Sequence, residues 1–216
     1  MQAGRLIDFI NTFGRKADRT FELPATAFLL DLLNQAQDEM SAETGMPAKY
    51  LTVTNQSSPF DLPSDARNDD PLLEIRYKTG TDDTVLLPQY SIERAGLIYP
   101  DWQSDTDASD PEIAIYSTAV DSIPQVYVYP DPGVADYYIL YKVKPTVMDD
   151  LSDEPFNGDL DRFHVALAHY VAYWLTGDDQ EFATYRNFVQ QMSGVRNRGP
   201  KVARNAAYRM MGRYYA

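Results

Sequence analysis

The hydrophobic period of this chain changes twice, and that constrains its fold more than any other feature. Near both ends apolar residues recur every three or four positions, while between them they recur every second position. A period of 3.6 buries one face of a helix and a period of 2 buries one face of a strand. Strands gathered in one contiguous block, without alternating helices, argue against a doubly wound α/β architecture.

Residues 3–13 set Leu6, Ile7, Phe9, Ile10 and Phe13 near helical spacing, which predicts a short first helix ended at Gly14. A second helix starts after Glu22 and Leu23, with Pro24 in its first turn. Its apolar stripe is Ala27, Leu29, Leu30, Leu33, Ala36 and Met40, and Gly45 and Pro47 stop it. Helical spacing returns after Pro155, where Leu160, Phe163, Leu167, Tyr170, Val171 and Trp174 predict one face of a helix running to Leu175. Thr176-Gly177-Asp178 breaks it, and Asp178 is placed to cap the next helix, whose Phe182, Tyr185, Phe188, Val189 and Met192 share one side. A break from Gly194 to Pro200 precedes a short helix-compatible stretch ending in aromatics.

Between these ends, Tyr50–Thr54, Leu73–Tyr77, Thr84–Leu87, Ile113–Ser117, Gln125–Tyr129 and Tyr137–Lys144 read as strands. Pro130-Asp131-Pro132-Gly133 joins the last two with turn chemistry, predicting that they pair as an antiparallel hairpin. The acidic stretches 55–71 and 101–112 read as mobile loops. The expected fold is α+β: a small helical bundle formed by the N- and C-terminal helices, an inserted antiparallel β-rich module, and an extended C-terminal arm. Residues 1–48 and 148–193 form the helical body in this reading, 49–147 the module and 194–216 the arm.

Little in the sequence points to catalysis. Cysteine is absent, which excludes disulfides, thiolate metal sites and thiol nucleophiles. No phosphate-binding loop, dinucleotide glycine pattern, nucleophile elbow or zinc-protease helix signature occurs. The two histidines, His164 and His169, lie roughly 140° apart on a helix and diverge too far to share a metal. They read as ordinary helix-surface or core-edge residues. Asp105, Asp107, Asp110 and Glu112 lack the turn glycine and terminal bidentate glutamate of a calcium loop. Asp149, Asp150, Asp153 and Glu154 read as charges complementing the N-terminal dipole of the helix that follows. No catalytic, cofactor or metal-ligating residues are expected, and the chain reads as a non-enzyme.

Charge is partitioned more sharply than its net value of −13 conveys. Residues 1–181 carry 12 basic against 32 acidic side chains, net −20, and residues 182–216 carry +7 with no acid. An acidic body repels nucleic acid, and the basic end suits phosphates or an acidic protein. Tyrosine, with 16 residues, is the commonest aromatic. Its half-polar ring suits shallow sheets and wet interfaces. Tyr137 and Tyr141 fit a sheet covering its own core, whereas Tyr208, Tyr214 and Tyr215 fit an interface. The first twenty residues hold no secretory apolar run, and no stretch approaches the roughly 18 apolar residues of a membrane helix. The expectation is a soluble chain made inside the cell, with no membrane partner.

The run VYVYPDPGVADYYILYKVKP, followed by an acidic stretch and then LDRFHVALAHYVAYWL, resembles the head-to-tail adaptor (connector, or head-completion) proteins of tailed bacteriophages. The helix containing LLDLLNQAQDEMSAETG resembles their early helix, and the likeness covers residues 20–193. It implies a homo-oligomeric ring, in the family typically of twelve subunits, at the head–tail interface of the virion and assembled in the host cytoplasm. Such a ring joins the portal protein to a tail tube or nozzle protein, and double-stranded DNA passes through without specific binding.

Twelve such bodies would carry about −240 before the arms are counted, a wall that phosphates do not grip. On that reading Arg196, Arg198, Lys201, Arg204, Tyr208, Arg209, Arg213, Tyr214 and Tyr215 form an arm that docks on the portal. Arginine forks pair with carboxylates there, and the tyrosines act as buried anchors. The alternatives are a nucleic-acid-binding protein using the basic tail, a peptidoglycan hydrolase with two carboxylates across a cleft, and a β-rich carbohydrate- or calcium-binding module.

Overall fold

The computed structural model describes residues 1–80, 83–103, 110–117, 123–158 and 160–193. The fold is α+β and the chain divides into two compact units. One comprises Met1–Pro47 and Pro145–Ala216, of which the described part ends at residue 193; the other is Ala48–Lys144.

The first unit is built from helices α1 (Ala3–Ala17), α2 (Thr26–Thr44), α4 (His164–Thr176) and α5 (residues 179–193). Helix α4 is apolar nearly all round. Ala166, Leu167, Ala168, Tyr170, Val171 and Ala172 are all buried, the pattern of a helix enclosed by its neighbours. Leu6 and Ile10 of α1, Leu29, Leu33, Ala36 and Met40 of α2, and Tyr185, Val189 and Met192 of α5 close around it in one continuous core. Trp174, expected on the buried face, is 57% exposed, and Ala27 is likewise exposed on α2. The buried face of α4 is set by the helices around it, and Trp174 lies outside their contact.

Local chemistry fixes the helix ends. Gly45 (φ 69°) and Gly177 (φ 70°) adopt the left-handed conformation, and their N–H groups donate to Ser41 O and Tyr173 O at 2.8 and 2.7 Å. Asp178 Oδ1 accepts from Gln180 N at 2.9 Å and starts α5. Helix α1 runs through Gly14 to Ala17 rather than ending there. Gly14 is needed for closeness: a Cβ on it would lie 2.4 Å from the Phe21 ring.

The acidic run at 149–154 serves a different helix from the one it precedes. Ala3 N donates to Asp153 O at 2.8 Å and Gly4 N to Leu151 O at 2.9 Å, so this turn satisfies the first N–H groups of α1. The Asp153 carboxylate closes the turn itself, accepting from Asp149 N and Asp150 N. Tertiary packing brings the turn to α1, which its position before α4 does not announce.

The second unit holds two four-stranded sheets. One has the order β1 (Ala48–Gln56), β8 (Ala135–Lys142), β3 (Leu72–Lys78), β4 (Thr84–Leu86), antiparallel throughout. The other has the order β2 (Phe60–Asp61), β7 (Gln125–Tyr129), β6 (Ile113–Tyr116), β5 (Gln89–Ser91). Ile75, Tyr137, Ile139 and Tyr141 from the first share one core with Phe60, Val126 and Val128 from the second. The sheets therefore meet face to face. A smaller cluster of Ala95, Trp102, Ile113 and Ile115 lies beside it.

Three expectations fail here. Strands β7 and β8 do not pair as a hairpin; they lie in different sheets, each with a neighbour on both sides. Pro130-Asp131-Pro132-Gly133 carries the chain from one sheet to the other. The pairing of β5 with β6 is parallel, and the crossover contains α3 (Ile92–Ile98), a helix within the β block. The stretch 55–71 is also anchored. Phe60, Leu62 and Ala66 are buried, and Asp65 accepts from Lys49 Nζ at 2.7 Å and Tyr141 Oη at 3.0 Å. In the acidic stretch 101–112, Trp102 is buried edge-on against Tyr127, whereas Asp105 and Asp107 lie outside the described residues.

Candidate functional site

The helical unit is organised around a polar staple within its apolar core. Asn34 and Gln37 project from α2 onto the chain returning at 146–156. Asn34 Nδ2 donates to Met148 O and Gln37 Nε2 to Thr146 O, at 3.0 and 2.9 Å. Phe156 N donates to Gln37 Oε1 at 3.1 Å. Phe156 holds a positive φ of 53°, unfavourable for a bulky residue, and its fully buried ring and this bond maintain it.

The histidines are placed by the same packing. His164 is fully buried, with Nδ1 2.9 Å from the Met1 amine and 3.5 Å from Asp161. His169 stacks on Phe13 with centroids 4.3 Å apart and meets Glu181 Oε2 at 2.5 Å, joining α4 to α5. Each is occupied by a different neighbour. Full burial of His164 goes further than the core-edge placement expected of it. Arg186 on α5 pairs with Glu43 of α2 at 2.5 Å.

Among the described residues no three histidines or carboxylates gather in a way that could hold a metal ion. A shallow cleft of about 240 Å³ is lined by Thr146, Val147, Asp153, Glu154 and Gly158. Its Asp153 is committed to the turn, and its Glu154 Oε1 lies 3.6 Å from the Met1 amine. Nothing there aligns a nucleophile with a base. No described helix is long and apolar enough to cross a membrane.

Surface charge is arranged by element. Exposed Arg15, Lys16 and Arg19 gather at the end of α1, whereas α2 has no basic residue and carries Asp31, Asp38, Glu39 and Glu43. Tyr170 Oη donates to Glu39 at 2.6 Å; burial, and then that hydrogen bond, push its phenol up to about 12.

The family model described as SU10 adaptor protein matches residues 1–212. The chain belongs to the SU10 adaptor protein family. No curated protein matches it. The family is one of phage head–tail adaptors, so its members are structural components that act with other head and tail proteins.

The nine residues expected to form the partner-binding arm, from Arg196 to Tyr215, lie outside the described residues. Sequence reading missed the roles of Asn34 and Gln37. The available signal was a pair of amides set one turn apart at the buried side of a leucine-rich helix.

Proposed function

We propose that this SU10-family adaptor assembles as a ring between the portal vertex and the tail, with the acidic body lining or flanking the DNA passage and residues 194–216 reaching the portal. The observation that carries the reading is the charge partition, −20 over residues 1–181 against +7 beyond them. A wall of like charge lets DNA slide past without phosphate contacts, and a cationic extension cannot line the same bore without gripping it. Arg196, Arg198, Lys201, Arg204, Arg209 and Arg213 therefore seek carboxylates on a protein surface, with Tyr208, Tyr214 and Tyr215 as anchors.

The test mixes purified portal with the full chain and with a truncation after Ser193. Docking of the full chain and its loss in the truncated chain are expected; undiminished docking by the truncated chain overturns the arm. Duplex DNA retained by the intact protein at physiological salt would overturn the passage role and favour a nucleic-acid-binding protein.

A further inference from the structure

Among the described residues the β1-β8-β3-β4 sheet has β1 and β4 as its edge strands, and their side chains and directions match each other. Strand β1 is nine residues long, and from Tyr50 to Thr54 it reads Tyr-Leu-Thr-Val-Thr, with neither charge nor proline. Long uncharged edges invite pairing, and proteins usually blunt them. The other edge strands are short, β2 of two residues and β4 and β5 of three each, with β5 followed at once by α3, so β1 is the one long edge among the described strands. At the far edge of the first sheet, β4 exposes Val85 and Leu86 at 47% and 50%, and β1 exposes Tyr50 at 70%.

We propose that β1 of one copy pairs with β4 of the next, continuing this sheet from subunit to subunit; the inference rests on the ring reading above. Strand direction supports it. Every step across the sheet is antiparallel, so β1 and β4 run in opposite directions. Two copies placed side by side in one orientation therefore bring antiparallel edges together. Such a head-to-tail contact closes into a ring, whereas β1 against β1 across a two-fold axis stops at two copies.

The faces agree as well. Leu51 and Val53 stand opposite Ile139 and Tyr137, on the side facing the shared core, and Val85 stands opposite Tyr77 on that same side. Tyr50, Thr52, Thr84 and Leu86 all lie on the outer side. In one register Leu86 meets Tyr50, Val85 meets Leu51 and Thr84 meets Thr52, so the apolar side chains exposed on each edge cover one another.

Because the chain has no cysteine, introduced thiols report the contact directly. Thr52→Cys and Thr84→Cys variants are prepared singly and together, mixed under mild oxidation with and without purified portal, and imaged by electron microscopy. Directly opposed residues on antiparallel strands are close enough for a disulfide. The equimolar mixture of single variants is expected to give covalent dimers, and the double variant a covalent ladder, while neither single variant cross-links alone. Equal cross-linking by Thr52→Cys alone would mean two-fold β1 pairing and overturns the proposal. Rings that form without the Thr52–Thr84 bond overturn it while leaving the ring reading intact, with β1 given to another strand. Failure to form any ring, with or without portal, overturns both.

Discussion

The Asn34 side chain bonds both backbone groups of Met148, donating through Nδ2 to the carbonyl at 3.0 Å and accepting through Oδ1 from the N–H at 2.8 Å. This fastens the middle of α2 to a segment 114 residues away in sequence. Asn34→Ala leaves both partly buried backbone groups unpaired and should lower stability by about 2–3 kcal/mol. Asn34→Asp should be at least as costly, because it sets a second acceptor against the Met148 carbonyl. Urea unfolding followed by circular dichroism measures both. A midpoint unchanged in either variant would show that the staple contributes nothing.

Gly14 and Phe21 make a second close contact. A Cβ at position 14 would lie 2.4 Å from the aromatic ring, so Gly14→Ala must displace it. The expected loss is about 1–3 kcal/mol, despite the better helix propensity of alanine. In a Phe21→Ala background the same change should be neutral or favourable, giving a double-mutant cycle with a clear coupling energy. Additive effects would locate the cost elsewhere.

Tyr137 is fully buried between the sheets, and its hydroxyl has no hydrogen-bond partner among the described residues. Burial, and then the negative charge of Asp131, push its phenol well above the usual range, so it stays neutral. Tyr137→Phe removes an unsatisfied polar group and keeps the ring against Phe60, with centroids 5.2 Å apart. Stability should be unchanged or higher by up to about 1 kcal/mol, whereas Tyr137→Ala should cost about 3–5 kcal/mol. Thermal unfolding of the two variants distinguishes them, and a clear loss in the phenylalanine variant would reveal a partner for the hydroxyl.

Stability should fall away at both ends of the pH range. Burial works against ionisation of Asp65, but hydrogen bonds from Lys49 and Tyr141 outweigh it and hold the carboxyl below its usual value. Its contribution is therefore present above an unfolded value of about 4 and lost as pH falls through the folded one. Tyr116 and Tyr141 are each pushed up to about 12, first by burial and then by Asp70 and Asp65 respectively. Their contribution is complete below the unfolded value of about 10 and lost as pH rises toward 12. Melting temperature against pH should show a plateau between these limits. Asp65→Asn should lessen the acid loss and lower the titration of Tyr141 seen by ultraviolet difference spectroscopy; an acid limb of unchanged steepness would remove Asp65 from the account.

Features governed by neighbouring residues were legible before any fold was known. Gly45 ends α2 and Gly177-Asp178 separates α4 from α5 because a left-handed glycine and a capping carboxylate act within one turn. Strand β7 was readable to the residue, since alternate residues along it are buried. Its partner was not. Alternation says which face is buried but not which strand lies alongside, and β7 and β8 each have two neighbours. Helix α3 escaped for the opposite reason: it is seven residues long, buries only Ala95 and exposes Leu97 and Ile98, so it has no apolar stripe to read.

By itself the sequence determined the longer helices and strands, the order helix–sheet–helix and the separation of charge, because period, capping and charge are properties of residues near one another along the chain. Only the tertiary structure decided which sheet each strand joins, that the acidic turn at 149–154 serves α1, and that Asn34 holds Met148. Those are relations between residues far apart in sequence, chosen by which surfaces fit and which buried polar groups find partners, and no local pattern encodes them.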